Sequence, residues 1–125
     1  MVEKIFGIER EALIFMLEVS RKSHPYEFAG VLRAKGGLVR EVLVLPGTHS
    51  SNRSALLRLH MLPIDRSACG TVHSHPSPDP RPSREDLTLF AKFGRVHIII
   101  AYPYDESSWR AYDHRGEGIS LEIIG

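Results

Sequence analysis

His73-Ser74-His75-Pro76-Ser77-Pro78-Asp79-Pro80-Arg81-Pro82-Ser83-Arg84-Glu85-Asp86 is the stretch on which the reading of this chain turns. Gly70 to His75 reads as a short strand stopped by Pro76. Side chains two apart on a strand share a face at about 6.6–7 Å, so His73 and His75 can converge on one ion about 2.0–2.1 Å from each ring nitrogen. Alternate prolines then fix φ and remove backbone donors, which makes residues 76–82 a stiffened loop. Ser83 to Phe93 has helical spacing in Leu87, Phe90 and Ala91, with Gly94 suited to the position just past a helix end. The loop therefore returns Asp86 to the strand end by a fixed path. Two imidazoles and a carboxylate are three nitrogen and oxygen ligands, the number catalytic zinc sites use while keeping a fourth position for water. A plainer reading fits the same residues. Ser83 with a carboxylate three residues later is a helix N-terminus pattern, and two His on a strand can be an ordinary half-buried pair.

Outward from this stretch the chain reads as helix, several strands, helix, several strands. Residues 8–22 place Ile8, Ala12, Phe15, Met16 and Val19 at three- and four-residue spacings, an amphipathic helix that ends before Pro25. Glu27 to Ala34 and Leu38 to Leu45 read as strands joined by a turn at Lys35-Gly36-Gly37. Residues 47–53 read as loop and Ala55 to Met61 as a further strand. Val96 to Tyr102 reads as a buried strand, followed by a terminal hairpin of Trp109 to Tyr112 and Ile119 to Ile124 around residues 113–116. Tyr102 and Trp109 are expected in the core.

The composition narrows the function classes. At 125 residues with 42% hydrophobic and 25% charged, the expectation is one domain over residues 1–125, with a core that needs no disulfides. The single Cys69 cannot pair internally, and no thiol cluster exists for a structural zinc knuckle; it reads as a small buried hydrophobe. Sixteen basic against fifteen acidic residues, a net charge of +1, give no reason to expect nucleic-acid binding. Between Arg33 and Arg58 five basic residues face Glu41 alone, which reads as a solvated face or as a docking surface for an acidic partner. No run approaches the roughly 18 apolar residues of a membrane span. The start of the chain lacks a secretory h-region, so a cytoplasmic location is expected.

His-x-His, seven residues, then Ser-x-x-Asp resembles the JAMM motif of the MPN-plus family of zinc metalloproteases, and residues 73–86 match it without departure. That family also carries a Glu after the first helix, and Glu27 in Ser23-His24-Pro25-Tyr26-Glu27-Phe28 is the matching position. The resemblance covers nearly the whole chain and is to bare catalytic cores such as archaeal and bacterial members. It implies an α+β fold, a curved mixed β-sheet flanked by two main helices in a cytidine-deaminase-like α/β/α arrangement. It implies one Zn2+ per chain held by His73, His75 and Asp86, with Glu27 as general base and acid and Ser83 donating to the oxyanion. It further implies an isopeptidase acting after the C-terminal glycine of a ubiquitin-like or sulfur-carrier protein, whose conjugates would be the partners. An extended tail could be held at residues 47–60 or at the loop 76–82. Ser74 points to the other strand face and is expected to pack there. His24, His49, His60, His97 and His114 fall outside the pattern, with a surface or turn role expected for His24.

Other metal hydrolases fit less well. A TIM-barrel amidohydrolase needs about 250 residues, a zinc deaminase needs Pro-Cys-x-x-Cys, and the metallo-β-lactamase type has Asp where Ser77 stands. The rival of another class is a non-catalytic scaffold domain of the same fold, in which ligands are lost; here all five matched positions are intact.

Overall fold

The computed structural model describes residues 4–45 and 67–125, so the strand expected at 55–61, the loop at 47–53, the proposed edge at 47–60, and Arg53 and Arg58 lie outside the described residues. Strand β1 (Gly7–Glu9) runs directly into helix α1 (Arg10–Ser23). No Gly or Pro interrupts those fourteen residues, and the helix stops where His24 precedes Pro25. The buried face of α1 is Ala12, Leu13, Met16, Leu17 and Ser20. This corrects the expected stripe: Phe15 is 46% exposed, and Ile8 belongs to β1. The inward side is centred one position along, because Leu13 and Leu17 fill it and the Ser20 hydroxyl satisfies itself on Met16 O at 2.8 Å.

Strands β2 (Ala29–Lys35) and β3 (Leu38–Val44) form the expected hairpin. Its two-residue loop, Gly36-Gly37, has φ of 65° and 77°, the pair of positive values that a tight hairpin turn matching strand twist demands. β2 begins at Ala29, so Glu27 stands two residues before the strand. β4 (Ala68–His75) pairs antiparallel with β2, and β5 (Val96–Ala101) lies parallel to β4. Parallel neighbours need a crossover, supplied by the proline loop and α2 (Arg84–Lys92). Gly94 follows this helix with φ of 82°, the left-handed geometry expected just past a helix end. Helix α2 buries Asp86, Leu89 and Phe90, whereas Leu87 is 41% exposed, again one position off the expected stripe.

The terminal hairpin is a more complex object. β6 (Trp109–Tyr112) pairs with β5, and β7 (Gly118–Ile119) with β6. β8 (Glu122–Ile124) leaves them to pair with β1. The strand order is β7-β6-β5-β4-β2-β3-β1-β8, so β7 and β8 sit at opposite edges. Eight strands laid flat would span roughly 34 Å at about 4.8 Å apiece, yet the step from Ile119 to Glu122 cannot exceed about 11 Å. The sheet must curl until its edges approach. A curled mixed sheet with two helices is the fold class expected.

The two helices take opposite faces. α1 joins Leu32, Val39, Val72, Ile98, Ile100 and others in the larger cluster. Leu89 and Phe90 of α2 pack with Ala29, Val31, Ile99 and Tyr112 on the other face. Strand alternation therefore sends Val72 to α1 and His73 to α2. His97 is fully buried on the α2 side, its Nδ1 2.7 Å from Thr71 Oγ1 and its ring stacked 4.3 Å from Phe90. Burial lowers its pKa from 6.5 to about 4. A His whose folded pKa is depressed contributes fully above the unfolded value, and the contribution is lost as pH falls from about 6.5 to about 4, up to about 3 kcal/mol in all. An NMR titration of the His97 ring is expected to show a midpoint near 4; a midpoint at 6 or above would contradict this. Among the described residues no helix is long and apolar enough to cross a membrane.

Candidate metal centre

The C-terminal end of β4 presents His73 and His75 on the α2 side of the sheet, their side chains 1% and 12% exposed. The crossover brings the first turn of α2 over them. His73 Nε2 lies 3.1 Å from Asp86 Oδ1, His75 Nε2 lies 3.2 Å from Asp86 Oδ2, and the two Nε2 atoms are 3.2 Å apart. Atoms bound at 2.0–2.1 Å around one tetrahedral ion stand about 3.3–3.4 Å from each other. The contacts here are close to that length, with each imidazole meeting a different oxygen of the Asp86 carboxylate.

The plainer reading of Ser83 and Asp86 also holds. Asp86 N–H donates to Ser83 Oγ at 3.1 Å, and Ser83 N–H donates to Asp86 Oδ2 at 2.8 Å, a complete capping box. The cap and the histidine contacts use one carboxylate. Capping fixes the rotamer that aims Asp86 at the two imidazoles.

The protonation pattern calls for a cation. His75 Nδ1 lies 2.9 Å from the carbonyl of Asp79, which can only accept, so Nδ1 carries a hydrogen. In neutral His75 the Nε2 lone pair then faces both a carboxylate oxygen and the nitrogen of His73. Burial lowers the pKa of His75, but the Asp86 carboxylate and the Asp79 carbonyl outweigh it, leaving a raised value. Burial likewise opposes charge on Asp86, but the two His rings and the Ser83 amide hold its carboxyl well below the usual carboxylate range. A fully buried anion facing two imidazoles is stabilised by a bound proton or by a metal ion. The nitrogen and carboxylate donor set suits zinc.

Glu27 completes the group: an oxygen of its carboxylate and a nitrogen of each His lie within 4.8 Å of one another. The segment carrying Glu27 is tied to the metal strand by Ser74, whose hydroxyl accepts Phe28 N–H at 2.8 Å and whose own N–H donates to Phe28 O at 2.9 Å. Ser74 is fully buried, as expected from strand alternation, and its hydrogen bonds add a second role.

Beyond the group, His24 is at the surface as expected, with Nδ1 2.7 Å from Tyr104 Oη. Tyr102 departs from expectation. It is 46% exposed because β5 ends at Ala101 and the chain turns, its N–H donating to His75 O and Ser77 O. Cys69 is 3% exposed, and burial pushes its thiol up to about 11, so it is inert at neutral pH. Two contributors were missed, the Asp79 carbonyl and the Tyr112 hydroxyl, which donates to Pro80 O at 2.7 Å. A backbone carbonyl carries no residue signature, so no sequence signal marks the first.

Comparison with known proteins sets this arrangement among relatives. The family described as prokaryotic homologs of the JAB domain matches residues 10–112. A protein of Haloferax volcanii named a probable metalloprotease is 41% identical over 131 residues, covering 97% of this chain and 81% of its own length. The crystal structure of a JAB1/MPN domain protein from Archaeoglobus fulgidus superposes with a TM-score of 0.81 at 41% identity, covering 96% of this chain and all of that one. A structure described as JAMM, a metalloprotease-like zinc site in the proteasome and signalosome, gives 0.77 at 38% identity over 98% of this chain and all of that one.

Proposed function

The chain belongs to the family of prokaryotic homologs of the JAB domain, and from that premise we propose that it is a zinc metalloprotease that hydrolyses the peptide or isopeptide bond after the C-terminal glycine of a ubiquitin-like or sulfur-carrier protein. The observation that carries the reading is the convergence of His73, His75 and Asp86 with Glu27 beside them. A non-catalytic scaffold has no use for a buried anion, two facing imidazoles and a second carboxylate at one point.

His73, His75 and Asp86 would hold the zinc. When bound, zinc lowers the pKa of its water toward about 7 and polarises the scissile carbonyl as a Lewis acid. Glu27, whose carboxylate lies within 4.8 Å of a nitrogen of each His, accepts the proton of the attacking water and returns it to the leaving amine. Ser83 stands at the start of α2, its backbone N–H on the same Asp86 Oδ2 that faces His75. Its hydroxyl donates to the oxygen on which negative charge develops. The prolines of the loop hold this turn in place before substrate arrives, so little reorganisation is left for the reaction. The loop 76–82 flanks the site and offers a wall against which an extended glycine tail would lie.

The test is cleavage of a linear fusion in which a reporter peptide follows the C-terminal glycine of a ubiquitin-like protein. Activity is expected with zinc, lost on chelation and restored by zinc; a zinc-loaded protein that cleaves no such fusion or conjugate would refute the substrate class. Ser74→Ala offers a finer check. It removes the acceptor of Phe28 N–H and loosens the segment that carries Glu27. A misplacement near 1 Å costs about a hundredfold, so kcat is expected to fall about ten- to a hundredfold while zinc content stays at the wild-type level. Unchanged kcat would show that Ser74 only packs.

A further inference from the structure

We infer that Tyr112 is a positioning residue for His75, acting through the proline loop. The inference rests on the reading of His75 as a metal ligand. Proline 80 has no amide hydrogen, so the Asp79–Pro80 peptide has its carbonyl as its single polar handle, and that carbonyl takes His75 Nδ1–H at 2.9 Å. The next carbonyl, Pro80 O, accepts the Tyr112 hydroxyl at 2.7 Å, and the next N–H, of Arg81, turns back onto the Asp79 side chain at 3.0 Å. The bond from His75 closes the loop on its own root, four residues earlier. Tyr112 adds a tie from residues 79–81 to a different strand, β6. Its ring is fixed: β6 carries it on the α2 face, 8% exposed and stacked 5.9 Å from Phe90.

The chain of contacts runs from β6 to the loop to the ring of His75. A ligand imidazole is held in tautomer and orientation by what its other nitrogen donates to, and loss of such a partner typically costs about 10–100-fold in metal affinity. Tyr112 holds the holder, so its hydroxyl sets how firmly the Asp79 carbonyl can fix the ring. Sequence reading passes over Tyr112, because it lies 26 positions beyond Asp86 and in no motif.

The experiment compares zinc-loaded wild type, Tyr112→Phe and Val31→Ala. Zinc release into excess chelator is followed by stopped flow, and the visible spectrum of the cobalt-substituted proteins is recorded. Tyr112→Phe keeps the ring and removes the hydroxyl; its zinc release is expected about tenfold faster, with a changed cobalt spectrum. Val31→Ala weakens the same apolar cluster without touching the loop, and is expected to lower the melting temperature while release stays at the wild-type rate. Release from Tyr112→Phe within twofold of wild type, or equal acceleration in Val31→Ala, would overturn the inference. Wild type that takes up no zinc would instead refute the metal centre itself, a separate and visible failure.

Discussion

Glu27→Gln is expected to lower kcat by about a hundred- to ten-thousandfold, the range that positioned proton transfer contributes, with bound zinc unchanged. Glutamine keeps the volume and the acceptor oxygen of glutamate and cannot take up a proton at neutral pH. Zinc content separates a base from a ligand. Asp86 oxygens stand 3.1 and 3.2 Å from the two Nε2 atoms, and a Glu27 oxygen lies within 4.8 Å of a nitrogen of each His. If Glu27 were instead the third ligand, zinc would be lost together with activity. Metal analysis beside a kinetic assay separates the cases, and full activity in the variant would remove Glu27 from the chemistry altogether.

Asp86→Asn is expected to lose zinc and activity together. The asparagine oxygen can still accept Ser83 N–H, so the start of α2 is largely retained, at a cost within about 1 kcal/mol. What disappears is the negative charge facing two imidazoles. Removing a direct ligand should exceed the about 10–100-fold that an outer-shell partner costs, so zinc affinity is expected to fall more than about a hundredfold. His73→Ala should behave alike. A competition titration against a zinc chelator reads both, with circular dichroism to show that the helices persist. Wild-type zinc affinity in Asp86→Asn would mean that the carboxylate is a helix cap and nothing more.

The legibility of this site in the sequence follows from how its parts are encoded. His73, His75 and Asp86 are readable because strand period, proline loop and helix start fix their relation within fourteen residues. Glu27 is 46 residues from His73, and no spacing rule links them; the family resemblance alone pointed to it. The link is physical all the same, made by Ser74 and the backbone of Phe28. Periodicity places both helices and sets their inward faces one position off. Period alone does not tell Phe15 from Leu13, or Leu87 from Leu89, as the residue that meets the sheet. β1, β7 and β8 have three, two and three residues, too few for any alternation to register. The curl of the sheet was legible only as part of the resemblance, since it follows from β7 and β8 pairing at opposite edges.

The metal centre is tested most directly by growing crystals of zinc-reconstituted protein and measuring anomalous diffraction on both sides of the zinc absorption edge. One peak per chain is expected, about 2.0–2.2 Å from His73 Nε2, His75 Nε2 and an oxygen of Asp86. No peak there, or a peak bound to other residues, would contradict it.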